Sequence, residues 1–112
     1  MRESEIVIVA LPQADGQVKN RPALFLRVLP PFNDALLCEI STQLAREVKG
    51  FDETITPLDE DFTSSGLVSA TPIRLGFLSV VPGNQLIGSI GQISVARHRR
   101  LLGNLSEYLV KS

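Results

Sequence analysis

EIVIVALPQADGQVKNRPALFLRV, residues 5–28, is the stretch on which the reading of the whole chain turns. Two short apolar runs, 6–11 and 23–28, flank a polar connection holding Pro12, Asp15, Gly16, Lys19 and Asn20. Runs this short, rich in Ile, Val and Leu and bounded by turn residues, read as strands rather than helices. The connection is longer than a tight hairpin needs, and long ordered loops on small domains often carry function. Arg21 stands where that loop enters the second strand. Pro22 removes a backbone donor there and stiffens the entry. A guanidinium fixed beside a polar loop suits a phosphate or a carboxylate. The other reading is a surface arginine that merely opens a strand, which needs no further explanation.

Outside this stretch, the 112 residues bound the answer to one domain with a single core. A hydrophobic fraction of 44% and a charged fraction of 21% are those of an ordinary soluble globular protein. No apolar run approaches the length of a membrane span, and Met1-Arg2-Glu3-Ser4-Glu5 is no signal peptide, so a cytoplasmic protein is expected. The single cysteine, Cys38, excludes an internal disulfide and a cysteine-based zinc cluster. It lies in the apolar run 35–40 and reads as a buried structural thiol rather than a nucleophile. A formal net charge of −1 leaves no global basic field for long DNA. Any nucleic-acid contact has to be local and short.

Along the chain, Pro30-Pro31-Phe32-Asn33-Asp34 forms a turn and 35–40 (ALLCEI) a third strand that ends abruptly at Ser41-Thr42-Gln43. Residues 44–49 read either as a short helical turn closed by Gly50 or as loop. Alternation predicts a half-exposed strand over 51–56, stopped by Pro57. Residues 58–62 read as one helical turn capped by Asp59, and 63–66 as a loop. Two apolar segments, 67–70 and 73–81, are interrupted at Thr71-Pro72, which predicts a bulge or an edge at that point. After the Gly83-Asn84 turn, 85–93 (QLIGSIGQI) places Leu86, Ile90 and Ile93 inside, with glycines where the sheet bends. Only the tail is plainly helical: Ser94 caps it, and Leu101, Leu102, Leu105 and Leu109 recur at helical spacing through Val110. Gly103 costs that helix about 1 kcal/mol against alanine without ending it. Several short strands and one packing helix predict a mainly β domain, a small curled antiparallel barrel of the SH3-like kind.

The sequence holds no GxxxxGK[ST] loop, no HExxH and no CxxC, and it has one histidine. Gly88–Gly91 (GSIG) has the wrong spacing for a dinucleotide fingerprint, so neither metal hydrolysis nor nucleotide binding is expected and no cofactor is implied. His98, in Arg97-His98-Arg99-Arg100, reads as part of a solvated helix face, the other reading being a catalytic acid or base. The remaining polar candidates sit at strand ends: Arg21, Ser41, Gln43 and Arg74.

Taken in order, DGQVKNRPALFL, EISTQ and GLVSATPIRLGFLSVV, then IGSIGQIS and a terminal amphipathic helix, resemble the MazF/PemK family of toxins over nearly the whole chain. The resemblance implies an SH3-like barrel of the CcdB/MazF/PemK type that dimerises, cuts single-stranded RNA without a metal and is neutralised by an antitoxin. The family's arginine of the RP motif falls on Arg21, and its Thr or Ser at the following strand end falls on Ser41. Gln43 would orient the site or touch substrate, and the loop 12–20, with Asp15, Gly16, Lys19 and Asn20, would act as a lid over splayed bases. Arg74 matches an arginine that in some members works with an acidic residue two positions on. Here that position is Gly76. Asp15 or Glu39 is left as a replacement, and Glu39 reads equally as a strand residue paired with a neighbour.

The resemblance therefore implies a homodimeric toxin-type endoribonuclease, an mRNA interferase. Phe77, Leu78 and the helix face 101–109 would supply the dimer contact, unless the core absorbs them. Two rivals share the barrel: a non-catalytic RNA- or protein-binding module, favoured by Gly76, and a gyrase-poisoning toxin acting through a helix-end contact.

Overall fold

The opening stretch folds as a hairpin. Strand β1 (Glu5–Pro12) runs antiparallel to β2 (Val18–Leu29), with Ile6 opposite Leu24 and Val9 opposite Arg21. The computed structural model describes residues 1–12 and 14–112, so Gln13, inside the predicted lid, lies outside the described residues. The connection is shorter than 12–20, because Lys19 and Asn20 already pair in β2 with Leu11 and Ala10. The β2 backbone carries Pro22 without losing a bond to β3, since their pairing ends at Ala23.

Four further strands complete one antiparallel sheet: β3 (Asp34–Ile40), β4 (Glu53–Ile55), β5 (Thr71–Val81) and β6 (Leu86–Gln92). Their order is β4-β5-β3-β2-β1-β6. Two helices are added, a single turn α1 (Phe62–Ser65) and the terminal α2 (Val95–Leu109). The Ser94 hydroxyl accepts from the Arg97 amide at 3.1 Å and caps α2, as the sequence predicts.

Period-two alternation divides the apolar residues between the two faces of the sheet. Ile6, Leu24, Cys38, Ile40, Ile55, Ile73 and Leu75 pack under Ile93, Leu101 and Leu105. On the other face Val7, Val9, Ala23, Phe25, Ala35, Leu37 and Val81 form a second cluster, flanked by Leu11 and Leu86. No helical residue belongs to that second cluster, so its burial comes from the curl of the sheet itself. Bulges supply the curl. β2 has one at Leu26, β6 has one at Ile87 and one at Ile90, and β5 has the largest: Cys38 faces Leu78 while its neighbour Glu39 faces Arg74.

That last bulge corrects the sequence reading. Thr71 and Pro72 lie inside β5, paired with Ile55 and Thr54, and the irregularity falls at residues 75–77 instead. The buried carboxylate of Asp52 makes it tolerable, accepting from the Leu75 amide at 2.9 Å and from the Val48 amide at 2.9 Å. Further differences have similar local causes. Residues 67–70 form no strand, the strand expected over 51–56 shrinks to β4, and 44–49 contributes only a 3₁₀ turn at Leu44–Arg46. The helical turn lies at α1, over the predicted loop, because Asp59 is used to accept from the Thr56 amide at 2.7 Å and caps nothing. Ile90, at 42% exposure, is turned outward by its bulge, and Leu109, at 68%, lies beyond the last core residue of α2, Leu105.

The basic stretch of α2 is a solvated face only at Arg99 and Arg100, which are exposed. Arg97 is 6% exposed. Its guanidinium reaches Asp61 at 2.9 Å, Glu53 at 2.9 Å and Asp59 at 3.2 Å, tying α2 to β4 and to the start of α1. His98 Nε2 lies 2.7 Å from the Leu26 carbonyl, the residue that the β2 bulge removes from the ladder.

Candidate functional site

The sheet row that builds the site runs across four strands: Val7 faces Ala23, Ala23 faces Glu39, and Glu39 faces Arg74. Side chains two residues apart on a strand share a face. Arg21, two before Ala23, and Ser41, two after Glu39, therefore stand on the face of this row and at the same end of the β2–β3 pair. An open cleft of about 470 Å³ lies over that end. Its lining includes Arg21, Glu39, Ser41, Thr42, Gln43 and Arg46, with Leu11, Phe77 and Leu78 as apolar walls.

Of the residues singled out from sequence, the fold thus brings Arg21, Ser41 and Gln43 into one cleft. Arg74 does not line it but lies directly behind Glu39, its Nη1 3.8 Å from Glu39 Oε2, with the guanidinium carbon 4.4 Å above the Phe77 ring. Asp15, Gly16, Lys19 and Asn20 are exposed and do not line the cleft. Asp15 accepts from the Gln17 amide at 3.0 Å, which shapes the turn around Gly16 at φ +83°. The expected carboxylate partner of Arg74 is absent from β5, and Gly76 sits exposed in the bulge.

Local geometry prepares the hydroxyl. Ser41 is buried, and its Oγ accepts from the Gln43 amide at 3.0 Å, while its own amide donates to the Pro72 carbonyl at 3.1 Å. The hydroxyl keeps its own proton as a donor beside the cleft. Around it the charge is mainly positive, from Arg21 and Arg46 at the lining and Arg74 behind. Cys38 also borders the cleft but is inert: burial, then the nearby Asp52 and Glu39 charges, push its thiol far up and keep it protonated. Among the described residues no three His, Cys, Asp or Glu side chains gather as a metal site, and no helix is long and apolar enough to cross a membrane.

Sequence reasoning missed Arg46 and Phe77 as cleft residues. Arg46 arrives there on the 3₁₀ turn and Phe77 on the β5 bulge, and neither irregularity leaves a periodic signal. Phe77, at 52% exposure, and Leu78 remain available for contact with another chain. Leu101 and Leu105 do not, because the core takes them.

No protein-family model and no curated protein sequence matches this chain. Solved structures do. An endoribonuclease from a mycobacterial species, solved in complex with its cognate antitoxin, superposes with a TM-score of 0.70 at 12% identity, over 97% of this chain and 94% of that one. The Mycobacterium tuberculosis toxin MazF-mt6 superposes with a TM-score of 0.66 at 19% identity, over 96% of this chain and 98% of that one. At such identities the likeness speaks for architecture, and over nearly its full length this chain has the fold of the MazF toxins.

Proposed function

We propose that this protein is the toxin of a toxin–antitoxin pair, a metal-independent endoribonuclease of the mRNA-interferase kind that cuts single-stranded RNA in the cytoplasm and inhibits growth. The observation that carries the reading is the cleft shared by Arg21 and Ser41. Two of the structures with this fold are named as a MazF toxin and as an endoribonuclease bound to its antitoxin, which supports the same activity and the same kind of partner here.

In the proposed reaction the ribose 2′-hydroxyl is the nucleophile, so the protein has to position the strand, move protons and stabilise a crowded phosphorane. Arg21 suits the third task, offering a planar fork of donors to the phosphoryl oxygens. Ser41 adds a hydroxyl donor, and Gln43 and Arg46 hold the flanking backbone. A homodimer formed through the exposed Phe77–Leu78 edge, and an antitoxin segment laid over the cleft, complete the proposal.

The test is cleavage of a long unstructured RNA in excess chelator, with Arg21→Ala alongside. Cuts by the wild type that leave cyclic phosphate ends, and none by the variant, support the reading. Cuts that survive in Arg21→Ala would overturn it. A second reading, a non-catalytic RNA- or protein-binding module on the same cleft, is favoured by the glycine at 76. RNA binding by folded protein that never cuts would establish that reading instead.

A further inference from the structure

Resting on the ribonuclease reading above, we infer that Glu39 is the general base that activates the 2′-hydroxyl. It is the one carboxylate among the described residues lining the cleft, two residues before Ser41, which follows directly on the end of β3. Its position is fixed from both sides by Ala23 on β2 and Arg74 on β5.

The geometry of the Glu39–Arg74 pair is compatible with this role. Charge-assisted hydrogen bonds between such groups usually measure about 2.7–2.9 Å. Here the closest approach is 3.8 Å, and the guanidinium is held instead above the Phe77 ring. Both Glu39 Oε2 and Arg74 Nε are shielded from solvent yet have no hydrogen-bond partner. Buried polar atoms are nearly always satisfied, so this loose pairing leaves the Glu39 carboxylate uncommitted within the sheet. The Glu39 side chain nonetheless keeps 35% of its surface exposed. Arg74 thus places a positive charge beside the carboxylate without closing on its lone pairs.

Among the described residues the cleft lining holds no other carboxylate. The charged groups nearby are Arg21 from β2 and Arg46 from the 3₁₀ turn in the cleft lining and Arg74 of β5 beside Glu39, all cations, with the protonated Cys38 next to it on β3. Asp52 has both carboxylate oxygens taken by backbone amides.

The step balances as follows. Glu39 takes the proton of the 2′-hydroxyl, the 2′-oxygen forms a bond to phosphorus, and the bond from phosphorus to the 5′-oxygen breaks. The leaving 5′-oxygen takes a proton from water, and Glu39 returns its own to solvent. The products are a 2′,3′-cyclic phosphate and a 5′-hydroxyl.

The experiment measures single-turnover cleavage against pH for wild type, Glu39→Gln and Glu39→Asp, with binding of the same RNA carrying 2′-O-methyl groups. The wild-type rate should fall on the acid side as the base is protonated. Glu39→Gln should cut about 10²–10⁴-fold more slowly, lose that acid limb and bind the methylated RNA within about threefold of wild type. Glu39→Asp, which keeps the charge, should recover part of the rate. A Glu39→Gln rate near wild type, an acid limb retained in that variant, or a flat wild-type profile would each overturn the assignment. If Glu39→Gln fails to fold, the wild-type profile and Glu39→Asp still decide. Cleavage that depends on Arg21 but not on Glu39 refutes this inference and leaves the ribonuclease reading standing, whereas a wild type that never cuts removes both.

Discussion

Arg97 of α2 donates from Nε and Nη2 to the two oxygens of Asp61, at 2.9 and 3.1 Å, and both side chains are buried. The same carboxylate accepts from the Ser94 amide at 2.9 Å, so one residue ahead of α1 orients the start of α2. Glu53 of β4 bridges Arg97 and Arg100, each at 2.9 Å. The helix is thereby bolted to the sheet on the side away from the cleft.

Breaking a buried pair by removing one partner leaves an uncompensated charge, at a cost of about 3–5 kcal/mol. Asp61→Asn and Arg97→Met should each destabilise the fold by that order, read as a shift of the urea midpoint. The double variant should be less destabilised than the sum of the two, because it removes both charges together. Additive effects would show that the pair is not coupled.

Acid should weaken the same contact. Burial pushes the Asp61 carboxyl up, but the hydrogen bonds from Arg97 and the Ser94 amide, with the Arg97 charge, outweigh it and hold the group below the usual carboxylate range. A folded-state value below the unfolded one means that the stabilisation is full above the unfolded value and is lost as pH falls through the folded one. The urea midpoint of the wild type should therefore drop between about pH 5 and pH 2 more steeply than that of Asp61→Asn. Parallel curves would remove Asp61 from the account of acid sensitivity.

Close backbone approach makes a separate prediction at Gly91. A Cβ there would run into the Ser64 carbonyl oxygen and the Ser65 backbone, where α1 lies against β6. Gly91→Ala should cost about 1–3 kcal/mol by overpacking. The exposed Gly103 of α2, whose Cβ would meet nothing, is the control: Gly103→Ala should gain about 0.5–1 kcal/mol. Thermal unfolding of the two variants should move in opposite directions.

At the proposed reacting centre, the Ser41 hydroxyl is tested by size and by loss. Removing one preorganised donor from a charged transition state costs about 10²–10³ in kcat, so Ser41→Ala should cut RNA that much more slowly. Ser41→Thr keeps the donor and should stay within about tenfold of wild type. The two rates, measured on one RNA in excess chelator, would argue against a role for the hydroxyl if they coincide.

The legibility of the chain divides along the range of the interactions. Local patterns were readable: the runs that became β1, β2 and β3, the Ser94 cap, the helical spacing of Leu101 and Leu105, and the buried Cys38. Each depends on alternation, spacing or one hydrogen bond within a few residues. The order of motifs from RPAL to the terminal helix also carried the resemblance that the superpositions later matched at the level of fold.

What only the tertiary structure decided depends on contacts between distant segments. Arg97 read as solvated because its partners Asp61 and Glu53 lie 36 and 44 residues away. The β5 bulge was misplaced to Thr71-Pro72 because the Leu75 amide it frees is met by Asp52, 23 residues earlier. The same bulge sets Phe77 at the cleft and brings Arg74 opposite Glu39, so the candidate base is defined by register rather than by any motif. A sequence states which side chains are present and which face each prefers. Which of them meet across a sheet is settled only when bulges fix the pairing, since each added residue changes the partner and the face of everything that follows.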